Sequence, residues 1–274
     1  MFFSKMQALG NDFMVVNNII QTITFSKNII KSLSHRYRGI GFDQLLVLEK
    51  NNNINSDFYC RIFNADGNEV YQCGNGIRCL AYFIYYKNII RKKNIVISTR
   101  NNIMACKIFN KDQIVVNMGQ PKFSPIEIPF LSTEMKKCYS IDICHKKISF
   151  GVVSLGNPHC VVVLSQSNEL EINIIGPLIE KHHLFPEQVN VGFMTILTPK
   201  HIKLRVYERG VGETQACGSG ASAAVAVGIN QQLLDNCVQV DLLGGSLDIR
   251  WLGRGCDLYM SGPARYIYDG FIFV

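Results

Sequence analysis

Two stretches of this chain recur in the same order and at nearly constant separation, and that duplication limits the fold more than any other feature of the sequence. Leu9-Gly10-Asn11-Asp12-Phe13-Met14-Val15-Val16 returns 146 positions later as Leu155-Gly156-Asn157-Pro158-His159-Cys160-Val161-Val162. Glu69-Val70-Tyr71-Gln72-Cys73-Gly74-Asn75-Gly76 returns 144 positions later as Glu213-Thr214-Gln215-Ala216-Cys217-Gly218-Ser219-Gly220. A weaker match lies between them, Gly41-Phe42 ahead of the apolar run Leu45 to Leu48 and Gly192-Phe193 ahead of Ile196-Leu197. The interval from asparagine to cysteine is 62 residues in the first copy and 60 in the second. The 274 residues therefore read as one unit of about 130–140 residues used twice, each copy an ordinary domain in size.

Each copy reads mainly as short strands. Phe58 to Phe63, Ile95 to Ser98, Ile114 to Asn117 and His201 to Tyr207 are β-branched or aromatic runs bounded by turn residues. One good helix is predicted per copy, beginning just after the cysteine. In the first, Ile77, Leu80, Ala81, Ile84 and Tyr85 share a face at helical spacing. In the second, Gly220 to Ile229 is small and apolar all round, as in a helix buried on every side. The expected fold class is α+β: two pseudo-symmetric domains, each a curled antiparallel sheet or β-barrel around a central helix. The first domain is placed at 1–117, joined by the C-terminal strand 263–274, and the second at 118–262.

Composition removes several function classes. The chain is 47% hydrophobic and 18% charged, enough for packed cores and too apolar for intrinsic disorder. A net charge of +7 is mild at this length, and the densest basic run, Lys87 to Lys93, reads as a solvated helix end. No basic stripe of the kind nucleic acid requires is evident. The N-terminal Met1-Phe2-Phe3-Ser4-Lys5 lacks a basic stretch followed by a long apolar core, and the apolar runs fall short of the roughly 18 residues of a membrane span. A cytoplasmic protein with reduced thiols and no nucleic-acid or membrane partner is expected. The ten cysteines are scattered, without the short paired spacings of a zinc or dithiol site. For any single one the default reading is a small buried hydrophobe.

Cys73 and Cys217 escape that default because both open a Cys-Gly-x-Gly box at a predicted helix start. The first amides of a helix lack intrahelical partners and carry the positive end of the dipole, so they bind anions and favour a thiolate. If the halves pack about a pseudo-twofold axis, the two thiols face one cleft. Two thiols on opposite sides of one carbon suit inversion of a stereocentre bearing an acidic hydrogen: one thiolate removes the hydrogen and the opposing thiol returns a proton to the other face. Cysteine serves because its ordinary pKa of about 8.5 leaves both forms accessible, and helix-start amides would stabilise the charge that develops on the substrate carboxylate. No pyridoxal lysine motif is evident, so the expected site is cofactor-free. His159 follows the second Leu-Gly-Asn, and Glu208 lies nine residues before Cys217, as Asn64 lies nine before Cys73. A histidine and a carboxylate near two thiols could set which is charged; taken singly, each reads as structural, Glu208 as a surface ion-pair partner of Arg205 or Arg209. Asn11, Asn64, Asn75, Asn157 and Asn190 stand beside glycine, proline or strand ends, and any one alone reads equally as a turn former.

At these residues the chain resembles the diaminopimelate epimerase family. The resemblance runs over essentially the whole length, through Leu9-Gly10-Asn11-Asp12-Phe13, Gly41-Phe42-Asp43-Gln44, Phe63-Asn64-Ala65-Asp66-Gly67, Cys73-Gly74-Asn75-Gly76, Gly156-Asn157-Pro158-His159, Asn190-Val191-Gly192-Phe193, Tyr207-Glu208-Arg209-Gly210, Ala216-Cys217-Gly218-Ser219-Gly220 and Tyr268-Asp269-Gly270-Phe271. It implies interconversion of LL- and meso-2,6-diaminopimelate in lysine and peptidoglycan precursor synthesis, without pyridoxal phosphate, metal or other cofactor. It also implies that Cys73 and Cys217 are the acid/base thiols, tuned by His159 and Glu208. The implied substrate pocket is Asn11, Gln44, Asn64, Gly74, Asn75, Asn157, Asn190, Glu208, Arg209, Gly218 and Ser219, with Tyr268 at a homodimer interface. A proline racemase would give no reason for Arg209 and the distal polar set, and a phenazine-type isomerase would not keep both cysteines. A thiol–disulfide or metal module would show Cys-x-x-Cys or clustered His and Cys, and a non-enzymatic binder would have lost one of the two thiols.

Overall fold

A computed structural model describes residues 1–51, 54–70, 73–165 and 171–273. Tyr71 and Gln72 of the second repeated stretch, and Asn52 and Asn53, lie outside the described residues. The chain divides into two compact units, Met1–Asn117 with Ser261–Val274, and Met118–Met260.

The first unit is built from β1 (Phe2–Ala8), β2 (Asn11–Asn17), α1 (Lys27–Ser34), β3 (Gln44–Lys50), β4 (Phe58–Asn64), β5 (Glu69–Val70), α2 (Gly74–Tyr86), β6 (Asn94–Ser98), β7 (Ile103–Ile108) and β8 (Ile114–Asn117). β1 and β2 are joined by the two residues Leu9 and Gly10, with φ of 55° and 81°. Left-handed backbone at both positions is the tight hairpin whose twist matches its strands, and it sets Asn11 as the first residue of β2, opposite Ala8. The β2–β3 and β4–β6 pairs are parallel, and β1–β2, β3–β4, β6–β7 and β7–β8 are antiparallel. Parallel neighbours need a long crossover; the first contains α1 and the second α2.

The second unit contains β9 (Tyr139–Ile143), β10 (Lys146–Ser154), β11 (Pro158–Leu164), α3 (Ile172–Glu180), β12 (Asn190–Thr198), β13 (His201–Glu208), β14 (Gly212–Thr214), α4 (Gly218–Asn230), β15 (Cys237–Leu242) and β16 (Gly245–Arg250). Its pairings repeat the first unit's in order: β10–β11 antiparallel, β11–β12 parallel, β12–β13 antiparallel, β13–β15 parallel, β15–β16 antiparallel. The chain leaves this unit through β17 (Tyr259–Gly262) and ends in β18 (Arg265–Phe271). β18 lies antiparallel on β1, the edge position that β9 takes on β10 in the second unit. The partner of the last strand, unreadable from sequence, is thus the first strand of the chain.

Register makes the internal correspondence exact to the residue. Phe13 pairs with Gln44, and Gln44 with Asn64; His159 pairs with Asn190, which by the β12–β13 register stands opposite Glu208. Gln44 therefore corresponds to Asn190, and Asn64 to Glu208. The Gly-Phe match is out of step with this frame, since Gly41 and Phe42 precede β3 while Gly192 and Phe193 lie inside β12. That match is a coincidence of sequence, since only Gly41 takes the left-handed backbone of a turn.

In each unit the sheet curls about its long helix. α2 packs on β1, β2, β3, β6, β7, β8 and β18, and α4 on β10, β11, β12, β13 and β16. α4 is buried from Gly218 through Gly228, as its all-round apolar pattern predicts. α2 is buried more completely than its single apolar face predicts: Arg78, Cys79 and Phe83 are enclosed as well, while Tyr85 is only partly so. The side away from the predicted stripe is covered because seven strands pack on the one helix. No described helix is long and apolar enough to cross a membrane.

Candidate functional site

Each long helix begins on a cysteine held in extended backbone. Cys73 has φ −152° and ψ 102°, and Cys217 has φ −118° and ψ 110°. A short hairpin leads into each helix, and the same ion pair closes both: Arg61 holds Glu69 through two bonds of 3.1 Å, and Arg205 holds Glu213 at 2.6 and 2.9 Å. Arg205 is thereby committed to Glu213 rather than to Glu208. The second glycine of each box sits where a side chain has little room. A Cβ on Gly76 would lie 3.1 Å from Leu46 Cδ2 and 3.3 Å from both Phe13 Cε1 and the Cys73 sulfur, and one on Gly220 would lie 3.2 Å from Val206 Cγ2 and 3.3 Å from Cys217 Cβ. The helix start can press onto its sheet only because these residues lack a Cβ.

In the first unit the Cys73 sulfur accepts from the Gly76 amide at 3.3 Å and approaches Asn11 Oδ1 at 4.0 Å. Asn11 is oriented from behind, its Nδ2 donating to Asp43 Oδ2 at 3.1 Å. Arg36 bridges Asp43 to Asp12 at 2.7–3.0 Å, and Lys5 adds a second cation to Asp12 at 2.6 Å. Burial opposes the Asp12 charge, yet hydrogen bonds from Arg36 and Lys5 hold its pKa at about 2. Gln44 and Asn64 form another pair, Nε2 donating to Oδ1 at 2.9 Å, which leaves the buried Gln44 Oε1 without a hydrogen-bond partner. Asn75, 3% exposed, accepts from Arg78 at 2.9 Å. Tyr268, on β18, is 44% exposed and meets Phe3 at a steep ring angle of 76°.

In the second unit a chain of hydrogen bonds connects histidine to thiol. His159 Nε2 is 3.0 Å from Asn157 Oδ1, Asn157 Nδ2 donates to Ser219 Oγ at 3.4 Å, and Ser219 Oγ lies 3.5 Å from the Cys217 sulfur. Oδ1 can only accept, so the His159 proton is on Nε2; Ser219 accepts from Asn157 and still has its O–H and a second lone pair, so either the hydroxyl or the thiol can donate across the Ser219–Cys217 contact. His159 thus reaches Cys217 through two intermediaries. It is 1% exposed, and burial, assisted by the Arg209 charge, lowers its pKa to about 3, so it is neutral over the working range. Burial also pushes the Cys217 thiol well up, and Glu208 pushes it the same way, while the Ser219 hydroxyl and Gly220 amide pull it down. Glu208 is steadied by Thr214 Oγ1 at 2.5 Å. Asn190 joins the strands, donating to the Pro158 carbonyl and accepting from the Arg209 amide, both at 3.1 Å. The exposed Arg209 side chain rests on the Glu187 carbonyl at 2.9 Å.

Each unit therefore gathers its own candidates around its own cysteine: Asn11 and the Gly74–Asn75 helix start in one, Asn157, His159, Glu208 and the Gly218–Ser219 helix start in the other. Four contributors were not singled out from sequence. Asp43 orients Asn11, Thr214 steadies Glu208, and the buried Glu180 carboxylate takes the Gly210 amide at 2.7 Å beneath the Glu208-Arg209-Gly210 turn. The fourth, Arg78, did leave a signal, a charge set beside Ile77 in an otherwise apolar helix. None of the ten cysteines is in a disulfide, and among the described residues no group of three or more His, Cys, Asp or Glu could hold a metal ion.

Comparison with known proteins adds to this geometry. The family model described as diaminopimelate epimerase matches residues 3–124 and 151–267. The diaminopimelate epimerase of Blochmanniella floridana is 53% identical over 274 residues, 99% of each chain. Among solved structures, a hydroxyproline epimerase from Agrobacterium vitis with bound trans-4-hydroxy-L-proline superposes with a TM-score of 0.72 at 12% identity, covering 98% of this chain and 91% of that one. A phenazine biosynthesis protein from Bacillus anthracis superposes with a TM-score of 0.67 at 13% identity over 100% and 99% of the two chains. At such identities these two likenesses concern the fold alone.

Proposed function

The chain belongs to the diaminopimelate epimerase family, and from that premise we propose that it interconverts LL- and meso-2,6-diaminopimelate with Cys73 and Cys217 as its two acid/base groups. The observation that carries the reading is the twice-built helix start, in which a cysteine stands at the N-cap position and a glycine three residues on lets the helix start pack close beside it, the sulfur taking the Gly76 amide in the first copy. Inversion at carbon needs a base on one face and an acid on the other. In this reading the thiolate of one cysteine takes the α-hydrogen as a proton, the electron pair is held against the α-carboxylate, and the thiol of the other cysteine delivers a proton to the opposite face. The amides of Gly74–Asn75 and Gly218–Ser219 stabilise the carboxylate as negative charge grows on it. Asn11 steadies the first thiol; Ser219, Asn157 and neutral His159 form a hydrogen-bond chain to the second, and Glu208 holds that second thiol protonated until it is needed. Asn64, Asn157, Asn190, Arg209 and the unpaired Gln44 Oε1 read the remaining carboxylate and ammonium groups. The reading calls for no cofactor, places the protein in the cytoplasm in lysine and peptidoglycan precursor synthesis, and makes it a homodimer with Tyr268 at the interface.

The test is solvent isotope incorporation. LL-Diaminopimelate in D₂O is expected to gain deuterium at one α-carbon as the meso isomer forms, and Cys73→Ala and Cys217→Ala are each expected to stop epimerisation. Wild-type protein that leaves the α-hydrogen unexchanged, or either variant epimerising at the normal rate, overturns the proposal.

A further inference from the structure

Arg78 is among the largest side chains in the protein with no solvent exposure at all. An enclosed guanidinium is costly unless its charge and donors are used. Its Nη2 donates to Asn75 Oδ1 at 2.9 Å, one helical turn back, and its Nε donates to the Pro263 carbonyl at 3.3 Å. Asn75 is the variable residue of the first Cys-Gly-x-Gly box and is itself 3% exposed.

We propose that Arg78 is a positioning residue for the first helix start, fixing the Asn75 carboxamide and placing a permanent positive charge beneath the amides that receive an amino-acid α-carboxylate. This rests on the epimerase reading above. Arginine has donors only, so Asn75 must turn its oxygen toward Arg78 and its NH₂ group the other way. That rotamer is then held by a charge-assisted bond inside the protein, where water does not compete. Burial lowers the Arg78 pKa, opposed by the thiols Cys79, Cys73 and Cys106, but only to about 10, so the group stays charged at neutral pH.

The second copy argues that the helix itself has no need of an arginine here. At the 144-residue offset Arg78 corresponds to Ser222, which is fully buried and donates to the Gly218 carbonyl of its own helix at 3.0 Å. The charge beside the second cysteine is that of Glu208, which stands where the first copy has neutral Asn64. Two helix starts built to one plan thus carry charges of opposite sign, an inequality that packing does not require.

The experiment is a double-mutant cycle on kcat and KM for LL-diaminopimelate, using wild type, Arg78→Gln, Asn75→Ala and the double variant. Each single change is expected to lower kcat/KM by roughly 10- to 100-fold, mainly through KM. The double variant is expected to be no worse than the worse single one, because both changes break the same connection. Losses that multiply in the double variant overturn the proposal and leave Arg78 as a staple to Pro263. If Arg78→Gln does not fold, Arg78→Lys replaces it: a folded enzyme with raised KM supports the proposal, and wild-type kcat and KM overturn it. Wild-type protein inactive on diaminopimelate overturns the epimerase reading and this inference with it, whereas an active wild type with uncoupled variants overturns this inference alone.

Discussion

His159→Gln isolates one buried proton site in the second unit. Glutamine can donate to Asn157 Oδ1 as the imidazole does at 3.0 Å, but it does not titrate. In the native protein the His159 pKa is lowered from 6.5 to about 3, by burial first and by Arg209 second. The unfolded chain therefore binds a proton between these values that the folded chain refuses. Stability from this site is complete above pH 6.5 and is lost as the pH falls toward 3. At about 1.4 kcal/mol per pH unit, the wild type should lose about 2 kcal/mol between pH 7 and pH 5 that His159→Gln keeps. The depressed carboxyls of Asp12 and Asp241 are common to both proteins and cancel in the comparison. Urea unfolding at pH 5, 6, 7 and 8 can be followed by fluorescence of Trp251, the chain's one tryptophan, buried in the same unit and stacked on Phe123. The variant should be the less stable protein at pH 7 through imperfect packing, with a gap that closes by about 2 kcal/mol at pH 5. A gap that stays constant from pH 8 to pH 5 would refute the buried, neutral histidine.

Gly76→Ala is expected to cost about 1–3 kcal/mol and most of the activity, since its methyl meets Leu46, Phe13 and the Cys73 sulfur at 3.1–3.3 Å; unchanged Tm and kcat would show that the helix start has slack. Gly220→Ala should behave alike against Val206 and Cys217. Ser219→Ala removes the hydroxyl that lowers the Cys217 pKa, so alkylation of Cys217, followed by peptide mass spectrometry across pH, should be slower than in wild type at each pH; superimposable profiles would remove the serine from the relay. Asp43→Ala frees the Asn11 carboxamide to rotate and should lower kcat/KM by about tenfold, whereas an unchanged value would mean that Asn11 is held by other means.

Much of this protein was decided locally and is legible in the chain. The duplicated Leu-Gly-Asn and Cys-Gly-x-Gly stretches announce two like units. A cysteine opening a Cys-Gly-x-Gly box marks a helix start in both copies, because caps depend on neighbours within three or four residues. The uniformly apolar α4 likewise declared its own burial.

Tertiary structure decided whatever depends on register or enclosure. Gln44 became the counterpart of Asn190 through parallel pairing of strands separated by a crossover, and the misleading Gly-Phe match fell out of frame for the same reason. β18 found β1 across the length of the chain. His159 met Cys217 by way of Asn157 and Ser219, two residues contributed by stretches more than sixty positions apart. Arg78 was enclosed because seven strands pack on α2 and cover the side the sequence leaves unmarked. Period and capping fix what each segment becomes; which of its side chains is stripped of water, and against what charge, is set only when distant segments close around it.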